Sequence, residues 1–237
     1  MTTKRAIILA AGKGTRMTSY ASASPKALLE FNGEALLTRQ MQSFTEAGIT
    51  EFILVAGYLY DRMRDYAATS RHNIRLLYNP FFSVCNSIGS LWFARDYLDE
   101  SVFITNGDTF FEKSIFAQLE SNPNSYIFGI DKSKKLDADY CVSCVGDEIV
   151  DMGKDIPKDE VAAEYIGIAL MRKQGIERFR ELLENYILFE NYNLWWEDLF
   201  TGMIAKRERI SFEDVTGKTW FEIDEPRDYR KYQRLFK

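Results

Sequence analysis

The chain contains few of the residues that form zinc sites, redox sites or disulfides. Among its 237 residues there are one histidine and three cysteines. Cys141 and Cys144 form a C-x-x-C pair, but a zinc site would need further ligands and the sequence holds no second pair. The pair lies in an apolar segment typical of a strand, on which residues three apart point to opposite faces. We therefore expect buried, inert thiols.

Long apolar runs and an excess of positive charge are also missing. No run approaches the roughly 20 apolar residues that span a bilayer. The first residues lead directly into a strand-like segment and lack the apolar core of a signal peptide. The 30 Lys and Arg residues are outnumbered by 35 Asp and Glu residues, which gives a formal charge of -5. This balance argues against nucleic-acid and membrane partners. We expect a cytoplasmic protein.

The first half of the chain alternates short apolar strands with helical spacing. With 46% hydrophobic and 27% charged residues, the composition is that of a globular protein. Such alternation is typical of a parallel sheet covered by helices on both faces. The predicted strands cover residues 4–10, 52–56, 74–78 and 102–105, and the predicted helices cover residues 35–47, 58–68 and 87–97.

The second half has a different pattern, in which strands follow one another across polar turns. Gly146 and Asp147 suit a hairpin. We expect an α/β chain in one domain, with a nucleotide-binding half at residues 1–125 and an acceptor-binding half at residues 126–237. The predicted strands here cover residues 126–130, 140–145, 148–152 and 166–171, and the predicted helices cover residues 174–188, 196–205 and 225–236.

The loop after the first strand has the composition of a phosphate-binding loop. Ligands of parallel sheets bind at the carboxyl ends of the strands, which is where this loop lies. Gly12 and Gly14 allow the backbone to approach an anion closely. Lys13 and Arg16 add positive charge, and Lys26 follows at the far end of the loop. A solvated glycine turn without a ligand is the alternative interpretation.

Two common phosphate-binding motifs are excluded. The chain contains no G-x-x-x-x-G-K-[ST] sequence, so it has no P-loop. Gly12 and Gly14 begin a G-x-G-x-x-G pattern, but Met17 occupies the third position and no helix follows at once. A dinucleotide-dependent dehydrogenase is therefore disfavoured.

Residues 9–17, Leu-Ala-Ala-Gly-Lys-Gly-Thr-Arg-Met, followed by Pro25 and Lys26, closely resemble the signature of the sugar-phosphate nucleotidyltransferase superfamily. Residues 25–34 and 78–92 are similar to the bacterial choline-phosphate cytidylyltransferase group and its phosphonate relatives. The resemblance implies a three-layer Rossmann-like fold with a mostly parallel central sheet and antiparallel additions in the C-terminal half. It implies that Arg16 and Lys26 are catalytic and that the nucleotide is also held by Leu9, Ala10, Ala11, Gly12, Lys13, Gly14 and Thr15.

Two aspartates follow apolar strand segments far apart in the sequence. Asp108 comes after a strand and a glycine, and Asp224 precedes Pro226 near the chain end. Mg²⁺ retains several waters and bridges substrate phosphates, so two carboxylates suffice to hold it. In the resembled family the matching acids bind this ion, and Asp108 would also contact the nucleotide. Alternatively, Asp108 is a turn former and Asp224 caps the last helix.

The residues expected around the base follow the second and third strands. In the sugar-transferring relatives a glutamine and a G-T-A-like turn occupy this region, whereas this chain resembles the cytidylyltransferase branch, which favours CTP. Turn and helix-cap roles remain open for each asparagine. The base-side candidates are Tyr58, Asn79, Asn86, Ser87 and Ser90.

The resemblance also indicates where the acceptor binds. Lys154 would contact its phosphate and Glu164 its polar end. Tyr192, Trp195, Trp196 and Asp198 combine aromatic and acidic groups that attract an ammonium group. For at least one tryptophan, packing in the core is the alternative.

The reaction implied is transfer of a nucleoside monophosphate from CTP to a small phosphorylated or phosphonate acceptor, with release of pyrophosphate and Mg²⁺ as cofactor. Phosphocholine, 2-aminoethylphosphonate and a phosphorylated amino acid or amide all fit. The alternatives are a sugar-1-phosphate nucleotidyltransferase using UTP, dTTP or GTP, and a regulatory module that binds a nucleotide without turnover. A homodimer is one assembly to consider.

Overall fold

The computed structural model describes residues 3–17, 24–134 and 140–236. This part of the chain forms thirteen strands and seven helices. The strands are β1 (Arg5–Ala10), β2 (Glu30–Phe31), β3 (Glu34–Ala35), β4 (Glu51–Ala56), β5 (Ile74–Tyr78), β6 (Val102–Asn106), β7 (Thr109–Phe111), β8 (Tyr126–Asp131), β9 (Cys141–Val145), β10 (Glu148–Gly153), β11 (Ala163–Met171), β12 (Ile210–Asp214) and β13 (Trp220–Glu222). The helices are α1 (Leu36–Glu46), α2 (Tyr60–Thr69), α3 (Ser87–Phe93), α4 (Lys113–Ser121), α5 (Lys173–Leu188), α6 (Asp198–Ala205) and α7 (Pro226–Tyr232).

Nine strands form one continuous sheet that contains both halves of the chain. Its order is β5-β4-β1-β6-β11-β8-β12-β10-β9. Strands β5, β4, β1 and β6 are parallel to one another, and the β12–β8 pair is also parallel. The remaining pairings are antiparallel. The expected parallel character is thus confined to the N-terminal half and one later pair, and the sheet as a whole is mixed.

Helices cover both faces of the sheet, which gives the three layers expected. Alternate residues of β1 face opposite sides because successive side chains of a strand point in opposite directions. Ile7 packs in a cluster with residues of α3, α5 and α6, whereas Ile8 packs in a second cluster with α1, α2 and α4. None of the helices in the described ranges is both long and apolar enough to cross a membrane.

Most predicted elements are present with ends shifted by a few residues, but some were missed. The predicted third helix ends early at Phe93, and Arg95–Tyr97 forms a separate 3₁₀ turn. The sequence prediction left out α4, β12 and the short strands β2, β3 and β7. Strand β12 is inserted in the sheet between β8 and β10. Residues 18–23 of the predicted phosphate-binding loop lie outside the described ranges.

The C-x-x-C pair lies on β9, as expected. Cys141 is buried and pairs with Gly153 of β10, while Cys144 is half-buried. Burial raises the pKa of the Cys141 thiol, which makes it a poor nucleophile. The expectation of a buried thiol is therefore met for Cys141 and only partly for Cys144.

Candidate functional site

A cavity of about 280 Å³ lies at the carboxyl ends of the parallel strands. The register places Ala10 beside Ala56 and Leu9 beside Asn106, so the loops after β1, β4 and β6 leave the sheet at one edge. The lining residues are Leu9, Ala10, Ala11, Gly12, Gly14, Thr15, Arg16, Lys26, Ala27, Phe82, Cys85, Asn86, Ser87, Ser90, Asn106, Gly107, Asp108, Tyr140, Lys154, Tyr165, Gly167, Trp195, Glu197, Glu222 and Asp224.

The first loop contributes most of the predicted phosphate contacts to this lining. Gly14 has φ of 59°, a left-handed conformation that favours glycine. Its carbonyl accepts a hydrogen bond from the Met17 backbone N–H at 2.8 Å, which closes the short 3₁₀ turn Thr15–Met17. Met17 is buried and anchors the turn, while the Arg16 side chain remains 53% exposed at the mouth of the cavity.

Two glycines outside this loop let neighbouring loops approach it closely. A Cβ at Gly107 would lie 2.6 Å from the Cβ of Ala10, and one at Gly57 would lie 2.9 Å from the Ala11 carbonyl oxygen. The Gly107 backbone N–H also donates to the Leu9 carbonyl at 2.9 Å. The turn that carries Asp108 is therefore held against the first loop by a contact that leaves no room for a side chain at Gly107.

The substitution Gly107→Ala is expected to lower the free energy of unfolding by about 1–3 kcal/mol, because the new methyl group overlaps Ala10. Gly12→Ala is the matched control, since a Cβ at Gly12 meets no described atom within 4 Å. Thermal unfolding of both variants without nucleotide checks the prediction. Equal melting temperatures for the two variants would contradict it.

Pairing of two short strands brings together the acidic residues from distant parts of the sequence. β13 runs antiparallel to β7, with Glu222 opposite Thr109. The Ile223 backbone N–H donates to the Asp108 carbonyl at 3.0 Å. Carboxylate oxygens of Asp108, Glu222 and Asp224 consequently lie within 4.8 Å of one another.

The sequence left open that Asp224 caps the last helix and that Asp108 is a turn former. Glu225, rather than Asp224, is the N-cap of α7, and it forms a capping box with Asp228. The N-cap interpretation of Asp224 is therefore wrong. Asp108 does lie in a turn, but its Oδ2 atom accepts a hydrogen bond from the ammonium group of Lys26.

Lys26 lies between the two aspartates that the sequence singled out. Its Nζ atom is 2.8 Å from Oδ2 of Asp108 and 2.6 Å from Oδ1 of Asp224. Arg16 adds a longer ion pair of 3.3 Å to the other oxygen of Asp224. Burial lowers the pKa of Lys26, but Asp108, Asp224 and Glu222 more than offset burial and raise it above its ordinary value. The ammonium group is therefore charged at any physiological pH.

The three carboxylates form a set of donors suited to a divalent cation. They carry three negative charges and face the two positive charges of Lys26 and Arg16. Hard oxygen donors at this separation are the ligands that Mg²⁺ and similar ions take in proteins. The residues present thus fit the metal role that the sequence indicates for Asp108 and Asp224, with Glu222 as a third donor.

Residues on the base side fall into two groups. Asn86, Ser87 and Ser90 line the cavity, and the Asn86 side chain also caps α3 by accepting from the Ser87 backbone N–H at 2.8 Å. Asn79 is fully buried, donates to the Ser90 hydroxyl and accepts from the Phe81 backbone N–H. Its polar atoms therefore serve a turn, which is the alternative left open for it.

The acceptor-side segment is joined to the start of α3. The backbone N–H groups of Asn86 and Ile88 donate to the carbonyls of Tyr192 and Leu194, respectively. The Ser87 hydroxyl accepts from the Trp196 backbone N–H at 2.9 Å. These bonds attach the aromatic segment of the second half to the loop that lines the other side of the cavity.

Within that segment the two tryptophans have different roles. Trp195 lines the cavity, and its ring centroid lies 4.6 Å from Nζ of Lys154. Trp196 is fully buried and packs against Phe200 and Tyr165, as the core alternative predicts. Among the described residues, the sequence candidates that lie outside the cavity lining are Lys13, Tyr58, Asn79, Glu164, Tyr192, Trp196 and Asp198.

The positions of the outlying candidates have local causes. Glu164 is buried on β11, opposite Asp131 and Cys141, and the next residue on the other face, Tyr165, lines the cavity instead. Asp198 acts behind the lining, since it accepts from the Trp195 backbone N–H at 2.8 Å and from the Tyr140 hydroxyl at 3.0 Å.

Among the lining residues that sequence reasoning missed are two acids and two tyrosines: Glu222, Glu197, Tyr140 and Tyr165. Glu222 precedes Asp224 by two positions, and residues two apart on a strand share a face, so the alternation offered a usable signal. The other three depend on contacts between distant elements.

A family model matches residues 6–128, more than half of the chain, and its description is the MobA-like NTP transferase domain. The chain belongs to this family. The match covers the glycine-rich first loop, Lys26 and Asp108, whereas Glu222 and Asp224 lie beyond it.

The similarity of this NTP transferase to its relatives extends over nearly the whole chain. It is 27% identical to a choline-phosphate cytidylyltransferase of Streptococcus pneumoniae, over 98% of each chain. It is 24% identical to a CTP:phosphoglutamine cytidylyltransferase of Campylobacter jejuni, over 92% of this chain and 95% of the relative. The inositol-1-phosphate CTP transferase of T. maritima has a similar fold, with a TM-score of 0.85 at 22% identity, over 100% of this chain and 96% of the other.

Proposed function

We propose that this protein is a CTP-dependent cytidylyltransferase that transfers CMP to a small phosphorylated or phosphonate acceptor and releases pyrophosphate. One observation carries the proposal: a lysine held between two aspartates from distant strand ends faces a glycine-rich loop across a single cavity. The choice of CTP is supported by the similar proteins, several of which are cytidylyltransferases.

The nucleotide would bind along the first loop. The backbone from Gly12 to Thr15 and the side chain of Arg16 can contact the phosphates. Backbone N–H groups of a glycine-rich loop and a guanidinium group both donate hydrogen bonds to anions. The base would lie near Asn86, Ser87 and Ser90, where amide and hydroxyl groups can hydrogen-bond a pyrimidine.

The acceptor would approach from the side of Lys154 and Trp195. The ammonium group of Lys154 is a compact positive charge that can offset the negative charge of the acceptor phosphate. The phosphate oxygen then attacks the α-phosphorus in line and forms the new P–O bond, while the bond to pyrophosphate breaks. A phosphate monoester, with a second pKa near 6, is mostly dianionic at pH 7, so it needs no general base.

The residues of the chain contribute position and charge to this reaction. Lys26 would lie beside the α-phosphate and stabilise the negative charge that develops there. Arg16 would hold the departing pyrophosphate. Asp108, Glu222 and Asp224 would bind Mg²⁺, which when bound supplies charge neutralisation and a template for the phosphates.

A panel of four NTPs against phosphocholine, 2-aminoethylphosphonate and glucose 1-phosphate tests this function. With Mg²⁺ present, pyrophosphate release is expected with CTP at a rate at least about 10-fold above that with UTP, dTTP or GTP, since a site that hydrogen-bonds one base rejects others strongly. Greater turnover of glucose 1-phosphate with another NTP would support the sugar-1-phosphate alternative. Binding of nucleotide without pyrophosphate release would identify a regulatory module.

A further inference from the structure

Lys26 contacts the carboxylate oxygens that a divalent ion would need. Its ammonium nitrogen, Nζ, is 2.8 Å from Oδ2 of Asp108 and 2.6 Å from Oδ1 of Asp224. The second oxygen of Asp224 is paired with Arg16 at 3.3 Å, and the second oxygen of Asp108 is 3.5 Å from the Thr109 hydroxyl. All four oxygens of the two aspartates therefore have a partner in the chain itself, and for three of them the partner is a cation.

The ammonium group of Lys26 is more enclosed than the guanidinium group of Arg16. The Lys26 side chain is 11% exposed and the Arg16 side chain 53%. The backbone at Lys26 is held in place, because the Leu28 backbone N–H donates to the Pro25 carbonyl at 2.9 Å and Ala27 is buried. Movement of the ammonium group therefore requires only rotations of the flexible four-carbon side chain. Salt screens its enclosed ion pairs less than the exposed pair of Arg16.

A divalent ion that enters this site alone has to compete with the ammonium group of Lys26. Two positive charges would arrive beside a third, and the ammonium group would lose the carboxylates whose attraction offsets its burial. A nucleotide removes this cost, because its phosphates offer the ammonium group a new anionic partner in the same cavity. Two ligands that relieve a shared cost bind more tightly together than apart, which is a positive coupling between their sites.

We propose that Lys26 is an internal counter-ion that holds the carboxylates of Asp108 and Asp224 until a nucleotide phosphate receives its ammonium group. A divalent ion would then bind these carboxylates tightly only together with a nucleotide. The inference rests on the proposed function for the ligand that receives Lys26, and it gives this residue a second role besides stabilising the transition state. The same charge that serves the reaction also keeps the acidic site from binding ions before the nucleotide arrives.

Binding of Mn²⁺ to the nucleotide-free protein tests the competition. Mn²⁺ takes the same carboxylate ligands as Mg²⁺ and is paramagnetic, so its free concentration can be followed by EPR. Lys26→Met removes the ammonium group and keeps the length of the side chain. This variant is expected to bind Mn²⁺ at least about 10-fold more tightly than the native protein, because the repulsion between the two cations is lost.

Arg16→Met is the matched control for this titration. It removes the same charge from the same carboxylate of Asp224, but its ion pair is longer and more exposed. Exposed pairs contribute little, so the affinity for Mn²⁺ should rise by less than about 3-fold. An equal rise in both variants would indicate a general effect of charge and would overturn the inference. Unchanged or weaker Mn²⁺ binding in Lys26→Met would overturn it as well.

A second measurement uses the native protein and CMP, whose single phosphate corresponds to the one that Lys26 is proposed to contact. Calorimetry first gives the CMP concentration that saturates the protein, and a protein-free titration corrects for Mn²⁺ bound by CMP alone. Saturating CMP should tighten Mn²⁺ binding by about 5-fold or more in the native protein and by less than about 2-fold in Lys26→Met. No tightening in the native protein, or no binding of CMP, would overturn the coupling.

Outcomes for the inference and for the proposed function are separable, because Mn²⁺ binding requires no turnover. Pyrophosphate release by the native protein together with unchanged Mn²⁺ affinity in Lys26→Met would overturn the inference alone. Tighter Mn²⁺ binding in Lys26→Met, with no pyrophosphate release by the native protein from any NTP and acceptor, would overturn the proposed function alone. If Lys26→Met does not fold, Lys26→Gln takes its place, and the CMP titration of the native protein decides in either case.

Discussion

Replacing Lys26 by alanine is expected to lower kcat for pyrophosphate release by about 100- to 1000-fold, the usual cost of losing one charge-stabilising contact in the transition state. Its ammonium group is the one held between the carboxylates of Asp108 and Asp224, at 2.8 and 2.6 Å. Its raised pKa means that no physiological pH removes the charge. The charge it stabilises develops during transfer, so KM for CTP should change less than kcat.

The measurement is steady-state pyrophosphate release with the acceptor that the native enzyme prefers. Lys4→Ala removes an exposed lysine just before β1 and is expected to retain native rates. Lys26→Met keeps the length of the side chain without its charge and should resemble Lys26→Ala, which separates loss of charge from loss of volume. Rates within about 3-fold of native for both Lys26 variants would contradict the catalytic role.

Replacing Asp108 or Asp224 by asparagine should lower kcat by about the same factor as the Lys26 substitutions, and it should also change the Mg²⁺ dependence of the rate. Asp108→Asn and Asp224→Asn each remove one carboxylate from a group whose oxygens lie within 4.8 Å of one another. We expect kcat to fall about 100- to 1000-fold at a fixed Mg²⁺ concentration. The Mg²⁺ concentration needed for half-maximal rate should rise, because fewer hard oxygen ligands remain.

Titration of pyrophosphate release with Mg²⁺ checks this prediction. Glu222→Gln should cause a smaller loss, about 10- to 100-fold, if this third carboxylate supports the other two rather than replacing them. Asp147 lies in the turn between β9 and β10 and forms a surface ion pair with Arg209. Asp147→Asn is the matched control and should behave as the native enzyme. An unchanged Mg²⁺ dependence in both aspartate variants would overturn the assignment of the metal site.

Local patterns in the sequence were sufficient for the elements of the parallel half. The apolar runs of β1, β4 and β5 and the helical spacing of α1 gave ends within one or two residues of those in the structure for most of these elements. Helix α4 was missed although Ile115, Phe116 and Leu119 have helical spacing; its N-cap residue, Glu112, forms no side-chain cap hydrogen bond. Strand β12 was missed since its burial results from insertion between two other strands.

The candidate site also has a part that local sequence patterns predict and a part that they do not. The glycines of the first loop, Arg16, Lys26 and Asp108 follow strand ends, where composition and position alone indicate a phosphate site. For Asn79, Glu164 and Trp196 the residue type fitted the role, but the direction of each side chain was decided by the strand, turn or core that carries it.

The sequence by itself determined the class of fold, and it located a glycine-rich loop at a strand end and two acids with the chemistry of metal ligands, because strand periodicity and glycine conformation are local properties. Only the tertiary structure decided that Lys26 lies between Asp108 and Asp224 and that Glu222 joins them. It also decided that Glu197 is buried at the cavity wall, with one carboxyl oxygen that has no hydrogen-bond partner in the described part of the chain. The reason is physical: strand pairing and burial depend on residues far away in the sequence, and they set both the distances between these groups and their electrostatic environment.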